Sequence, residues 1–142
     1  MGADQSERYR EILEQVIEAS GAERGCIVTL NLETGQPDMV ASVNWEKVAA
    51  EDQYAFKLVS SQVFAENTPI ITTNVDQQAP TFQSIDDFRV FVPRSILCMP
   101  FQINHILSIL YLDSRLLQRT FSGKDIQHLQ SLLAQYTVDP DQ

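Results

Sequence analysis

Chemistry in this chain would have to be built from two cysteines, two histidines and a few well-placed charges. A thiolate can act as a nucleophile or redox centre when it is exposed and its pKa is depressed. Cys26 lies in "RGCIVTL" and Cys98 in "SILCMPF", both apolar and strand-like. Each therefore reads as a small buried core residue. Two thiols in a chain this long do not make a disulfide framework. His105 falls in a short polar joint and His128 on a helical pattern, with none of the ligand spacing of a zinc site. Arg94 opens an apolar run beside a polar stretch that carries aromatics. Its guanidinium suits an anionic ligand, or a salt bridge with Asp86 or Asp87. Asp113 ends a second apolar run and suits the backbone of a turn.

The chain around these residues has 142 residues and a net charge of -9, from 19 acidic and 10 basic side chains. Phosphate backbones and anionic membranes both demand a basic footprint, so nucleic acid and membrane partners are not expected. With 44% hydrophobic and 20% charged residues, the composition is that of a folded domain. One domain over 1–142 is expected, with a core at about 8–136 and polar ends at 1–5 and 137–142. No apolar run is long enough to span a bilayer, and "MGADQSERYR" is no secretory signal. Gly2 and Ser6 fit a myristoylation pattern, but no polybasic segment follows and one acyl chain anchors weakly. A cytoplasmic location is expected.

Periodicity supplies the elements. Tyr9, Ile12, Leu13, Val16 and Ile17 form one stripe of a helix over 6–19, with Asp4 and Glu7 as its cap and Gly21 as its stop. "GCIVTLNLETGQPDMVASV" predicts an antiparallel strand pair turning at "ETGQP", with Cys26, Val28, Leu30 and Leu32 on one face and Met39–Val43 as the second strand. A second helix over 52–66 buries Phe56, Val59, Ser60, Val63 and Phe64, and stops at Asn67. "PIIT" is a short strand. From Thr72 to Pro93 no period holds, yet Phe82, Phe88 and Phe91 argue for a loop that folds over something. "RSILCMPF" and "ILSILYLDSR" are apolar on both faces, so they must be central strands covered on both sides, joined by "QINH". Pro100 marks a bulge or the edge of a pairing. "FSGKDIQHLQSLLAQY" is a last helix, capped by Ser122 and Asp125, with Ile126, Leu129, Leu132, Leu133 and Tyr136 inward.

Over residues 8–136 this order resembles a GAF domain, a small-molecule-sensing and dimerising module of signalling proteins. The resemblance rests on "GAERGCIVTL", "RSILCMPF", "LSILYLDS" and "FSGKDIQHLQSL". Cyclic-nucleotide-binding members carry Asn-Lys, a spaced Phe and then Asp-Glu. Phe121 and Asp125 keep that spacing, but Asp113-Ser114 replaces Asn-Lys and Ile126 replaces the Glu. Bilin-binding members attach the chromophore through a cysteine commonly followed by histidine. Here Ile27 follows Cys26 and Met99 follows Cys98. A free methionine sulfoxide reductase, the enzymatic branch, uses cysteines on mobile segments.

The resemblance implies an α/β (α+β), GAF-like or PAS-like sandwich: a central antiparallel sheet of five or six strands, terminal helices on one face, and a helix plus the 72–93 loop on the other. It implies a pocket between loop and sheet, with Trp45, Phe82, Phe88, Phe91, Arg94, Ile96 and Cys98 as candidate lining. The expected function is non-catalytic sensing of an unidentified small molecule, with no cofactor identified. The partners expected are a second copy through the terminal helices and neighbouring domains of a parent such as a histidine kinase, a cyclase or a transcriptional activator. The alternatives are the redox enzyme and a ligand-free dimerisation or relay module.

Overall fold

The computed structural model describes residues 2–31, 33–46, 48, 50–74, 93–103 and 105–137. Among the described residues, three helices and five strands follow in the order α1 (Gly2–Ser20), β1 (Arg24–Leu30), β2 (Pro37–Val43), α2 (Ala50–Glu66), β3 (Ile70–Thr73), β4 (Arg94–Ile103), β5 (Ile106–Arg115) and α3 (Gly123–Thr137). The strands form one antiparallel sheet in the order β2-β1-β5-β4-β3. The two strands that are apolar on both faces therefore lie inside the sheet, with β5 at its centre.

Alternation sorts their side chains. Ile27, Leu97, Met99, Phe101, Leu110 and Leu112 join the large cluster under α1 and α3. Cys26, Val28, Ile96, Cys98, Ile109 and Tyr111 join a second cluster under α2. Strands expected to be apolar on both faces thus alternate between the two clusters from Ile96 to Met99 and from Ile109 to Leu112. On β1, Leu30 is only half-buried, and Leu32 lies outside the described residues.

The helix stripes also hold. Ile12, Leu13 and Val16 are 0% exposed on α1; on α2 Val59, Ser60 and Val63 are buried, Phe56 and Phe64 are half-buried, and Ala55, outside the expected stripe, is buried beside them. Gly21 takes a left-handed φ of 75° and its N–H returns to the Ile17 carbonyl at 2.9 Å, closing α1. Asn67 does the same for α2, with φ 55° and a 2.8 Å bond to the Val63 carbonyl. Asp125 Oδ2 accepts the Ser122 N–H at 2.8 Å at the start of α3, as the cap spacing predicts.

Three boundaries depart from expectation. The helix α1 begins at Gly2, so Asp4 and Glu7 lie inside it rather than at its cap. Ala3 and Gln5 are good helix formers, so nothing stops the helix at residue 6. The strand β2 starts at Pro37, two residues before the expected Met39. The β4–β5 register runs on to Ile103↔Ile106, so Gln102 belongs to the strand and the connection is shorter than "QINH". Pro100 pairs in register with Ile109, while β3 reaches only as far as Cys98. On its second side Pro100 thus faces no ladder that would need its missing N–H.

Candidate functional site: a buried charge cluster at one end of the sheet

The starts of β1 and β4 and the end of β5 meet at the same end of the sheet. The register places Arg24 opposite Asp113, and Asp113 opposite Ile96. Arg24, Asp113 and Arg94 share the α2 face by parity, because Cys26, Tyr111 and Ile96 two steps along are on it.

On that face the charges interlock. Arg24 Nε donates to Asp113 Oδ1 at 2.7 Å, and Arg24 Nη2 lies 2.8 Å from Asp52 Oδ2 on α2. The side chains of Arg24 and Asp113 are 8% and 1% exposed. Arg94 Nη1 donates to the same Asp113 oxygen at 3.2 Å, and its Nε stands 3.6 Å from Asp52. Asn74, just past β3, ties this group to the backbone. Its Nδ2 donates to Asp52 Oδ1 at 2.9 Å, and its Oδ1 accepts the Arg94 N–H at 2.7 Å. Outside the cluster Glu23 accepts from Arg115 Nε at 2.9 Å and stands 3.8 Å from Arg94.

The electrostatics follow from the packing. Burial pushes the Asp113 carboxyl above its ordinary value, and the two guanidiniums pull it back only in part. Burial also works against charge on Arg24, but Asp113 and Asp52 more than offset it and raise its pKa. At Glu23 burial raises the carboxyl, yet the Arg115 N–H and guanidinium, with Arg94, bring it below the usual range. Asp113 Oδ2, Arg24 Nη2 and Arg94 Nε are buried without a hydrogen bond among the described residues.

Next to the cluster stands an aromatic corner. The Trp45 ring lies 5.2 Å from Phe56 and 5.6 Å from Tyr111, both edge-on, with the Arg24 guanidinium 5.6 Å over it. Cys26 and Cys98 flank Tyr111 in register on its two sides. Two strand spacings, about 9.6 Å, separate them, too far for a disulfide. Burial pushes both thiols well up.

The structure thus brings four of the expected site residues onto one face: Trp45, Arg94, Ile96 and Cys98. Phe82, Phe88 and Phe91 lie outside the described residues, as do Asp86 and Asp87. Ile96 and Cys98 are 1% and 0% exposed, packed with α2. Arg94 is bound to carboxylates of the described fold. Asp113 is no turn-former: its side chain points inward to two arginines. The sequence reading missed Arg24, Asp52 and Asn74. The signal was present for two of them. Arg24 keeps the alternation of Cys26 and Val28, and Asp52 extends the buried stripe of Ala55, Val59 and Val63.

Other possible sites are sparse. A shallow cleft of about 330 Å³ lies between α1 and α3, lined by Glu7, Arg8, Glu11 and Tyr136, away from this face. Among the described residues no group of three or more His, Cys, Asp or Glu is placed to hold a metal. No described helix is long and apolar enough to cross a membrane.

Comparisons with known proteins converge on one family. The family model described as "GAF domain" matches residues 4–138. Among solved structures, the fold is similar to a GAF domain/HD domain protein from Geobacter sulfurreducens, at 7% identity and TM-score 0.64, over 93% of this chain and 88% of that one. It is similar to the GAF domain of a phosphoenolpyruvate-protein phosphotransferase from Acinetobacter, at 17% identity and TM-score 0.56, over 93% and 79%. A third is the GAF domain of a two-component sensor histidine kinase from Bacillus halodurans, at 16% identity and TM-score 0.54, over 86% of each. A comparison with curated proteins returns no match.

Proposed function

Because the chain belongs to the GAF domain family, we propose that it is a non-catalytic sensory or regulatory domain of a larger cytoplasmic signal-transduction protein. The observation that carries this reading is the match over residues 4–138, which takes in all of the described fold but its first two residues. The relatives named above come from signalling and phosphotransfer proteins, which supports the same context. In this reading one domain fills the chain and dimerises through α1 and α3, in a parent such as a histidine kinase, a cyclase or a transcriptional activator. A small molecule binds on the α2 side of the sheet, with Trp45, Phe82, Phe88, Phe91, Arg94, Ile96 and Cys98 as candidate contacts. A ligand that prefers one arrangement of that side shifts its population.

The redox-enzyme alternative draws no support from the thiols. Cys26 and Cys98 are both buried, and burial keeps them protonated. A thiol reagent is expected to leave both untouched in the native chain and to label both after unfolding. Rapid native labelling of either would favour the enzyme.

Native mass spectrometry of the purified chain tests the sensory reading. Extra mass that leaves on denaturation, carried by a dimer, supports it. A bare monomer would remove both the ligand and the dimer, and Phe88→Ala that leaves a bound mass in place would remove the proposed contact.

A further inference from the structure

The charge cluster reaches beyond the α2 face. Arg94 is approached by carboxylates from three elements: Asp113 on β5 at 3.2 Å, Asp52 on α2 at 3.6 Å and Glu23 after α1 at 3.8 Å. Glu23 is held on its other side by Arg115, through both the Arg115 N–H and the guanidinium. A tight turn follows, in which the Arg119 N–H returns to the Arg115 carbonyl at 3.1 Å. Arg119 then touches the roots of both terminal helices. Its Nε donates to the carbonyl of Ser20, the last residue of α1, at 2.8 Å, and its Nη2 meets Asp125 in the first turn of α3.

At the α2 joint Asp52 lies 2.8 Å from Arg24 Nη2 and accepts from Asn74 Nδ2 at 2.9 Å. Asp52 also faces Arg94, whose Nε at 3.6 Å makes no hydrogen bond among the described residues. Arg94 thus meets Asp52 and Glu23 only Coulombically, at 3.6 and 3.8 Å, while each carboxylate has closer partners of its own, Arg24 and Asn74 for Asp52 and Arg115 for Glu23. Arg94 is therefore a cation placed between a carboxylate on α2 and one at the root of α1.

We propose that Arg94 is shared between Asp52 and Glu23, and that this sharing couples the docking of α2 to the turns that root α1 and α3. With α2 docked, Asp52 and Asp113 balance Arg94 and leave Glu23 to Arg115. With Asp52 withdrawn, Arg94 draws Glu23 toward itself and away from Arg115. The 21–24 and 115–119 turns then loosen. Glu23 and Asp52 compete for one guanidinium, which fixes the sign of each substitution. The coupling needs no ligand, so it stands or falls apart from the sensory reading.

Backbone amide hydrogen exchange on the full chain, without ligand, is the test. Asp52→Asn is expected to speed exchange at the Glu23, Arg115 and Arg119 amides by at least about fivefold, the low end of a coupling between sites. Arg115→Ala, at a half-exposed position, carries the test in reverse and does not depend on Asp52→Asn folding. It frees Glu23 to compete, so the Tyr54 to Lys57 amides of α2 are expected to exchange faster. Glu23→Gln removes the competitor and is expected to slow those same amides. Changes confined to the element carrying the substitution overturn the proposal. So does uniform acceleration of all amides, the mark of simple destabilisation, or acceleration of α2 by Glu23→Gln.

Discussion

The two faces of the sheet are filled by the same kinds of apolar side chain but are finished differently. Under α1 and α3 the layer is wide and dry, with Ile12, Leu13, Leu97, Leu110, Leu112 and Leu129 at 0% exposure. Polar groups enter it as local ties, such as Ser95 Oγ accepting the Phe121 N–H at 3.1 Å. Under α2 the layer is smaller, carries both thiols and the Tyr111 hydroxyl, and ends in Arg24, Asp52, Arg94 and Asp113. Apolar packing is tolerant of small shifts, because its free energy depends on area and shape rather than direction. A buried ion pair is directional and costly when broken, while contributing little net stability when intact. The first face therefore holds the fold together, and the second fixes how one helix sits on it.

That contrast can be broken by substitution. Arg24→Met, which leaves Asp113 and Asp52 facing each other in a buried site, is expected to cost about 3–5 kcal/mol in urea unfolding. A loss below about 1 kcal/mol would mean that the cluster behaves like a surface pair. Leu129→Ala on the dry face is expected to cost about 3 kcal/mol through lost transfer energy and a cavity. Its readout sharpens the comparison, because it should leave the charge cluster's pH response unchanged. Asp125→Ala removes the carboxylate that accepts the Ser122 N–H and meets Arg119, and is expected to cost about 1 kcal/mol.

The smallest effect is one of pH. Glu23 is held below its ordinary value, so its contribution is fully present above the ordinary carboxylate range and is lost as pH falls through its folded pKa. Asp113, raised by burial, has the opposite sign: its contribution is fully present below the ordinary range and is lost as pH rises through its folded pKa. Glu23→Gln should flatten the acid-side fall in the urea midpoint. A steeper fall in that variant would show that burial, not Arg115, governs this carboxylate.

Much of this arrangement was legible as pattern. The facing of β4 and β5, the stripes of α1, α2 and α3, and the stops at Gly21 and Asn67 follow from alternation, helical period and left-handed φ, all local properties. The start of α1 did not, because polar residues that favour helix carry no stop of their own. That the buried charges meet was hidden for a different reason. Arg24, Asp52 and Asp113 are far apart in sequence, and a charged residue at an element's end ordinarily faces water. Only the sheet order β2-β1-β5-β4-β3, which sets Arg24 against Asp113 and brings Arg94 one step from them, turns three surface-like charges into one interior group.

Trp45 gives that interior group an optical voice. It is the chain's single tryptophan, and the Arg24 guanidinium lies 5.6 Å over its ring. An indole's emission shifts with the field across its ring, and a displaced cation changes that field at one known place. Intrinsic fluorescence of the unlabelled chain therefore reads the state of the cluster directly. A titration with any compound, salt or denaturant can be followed there.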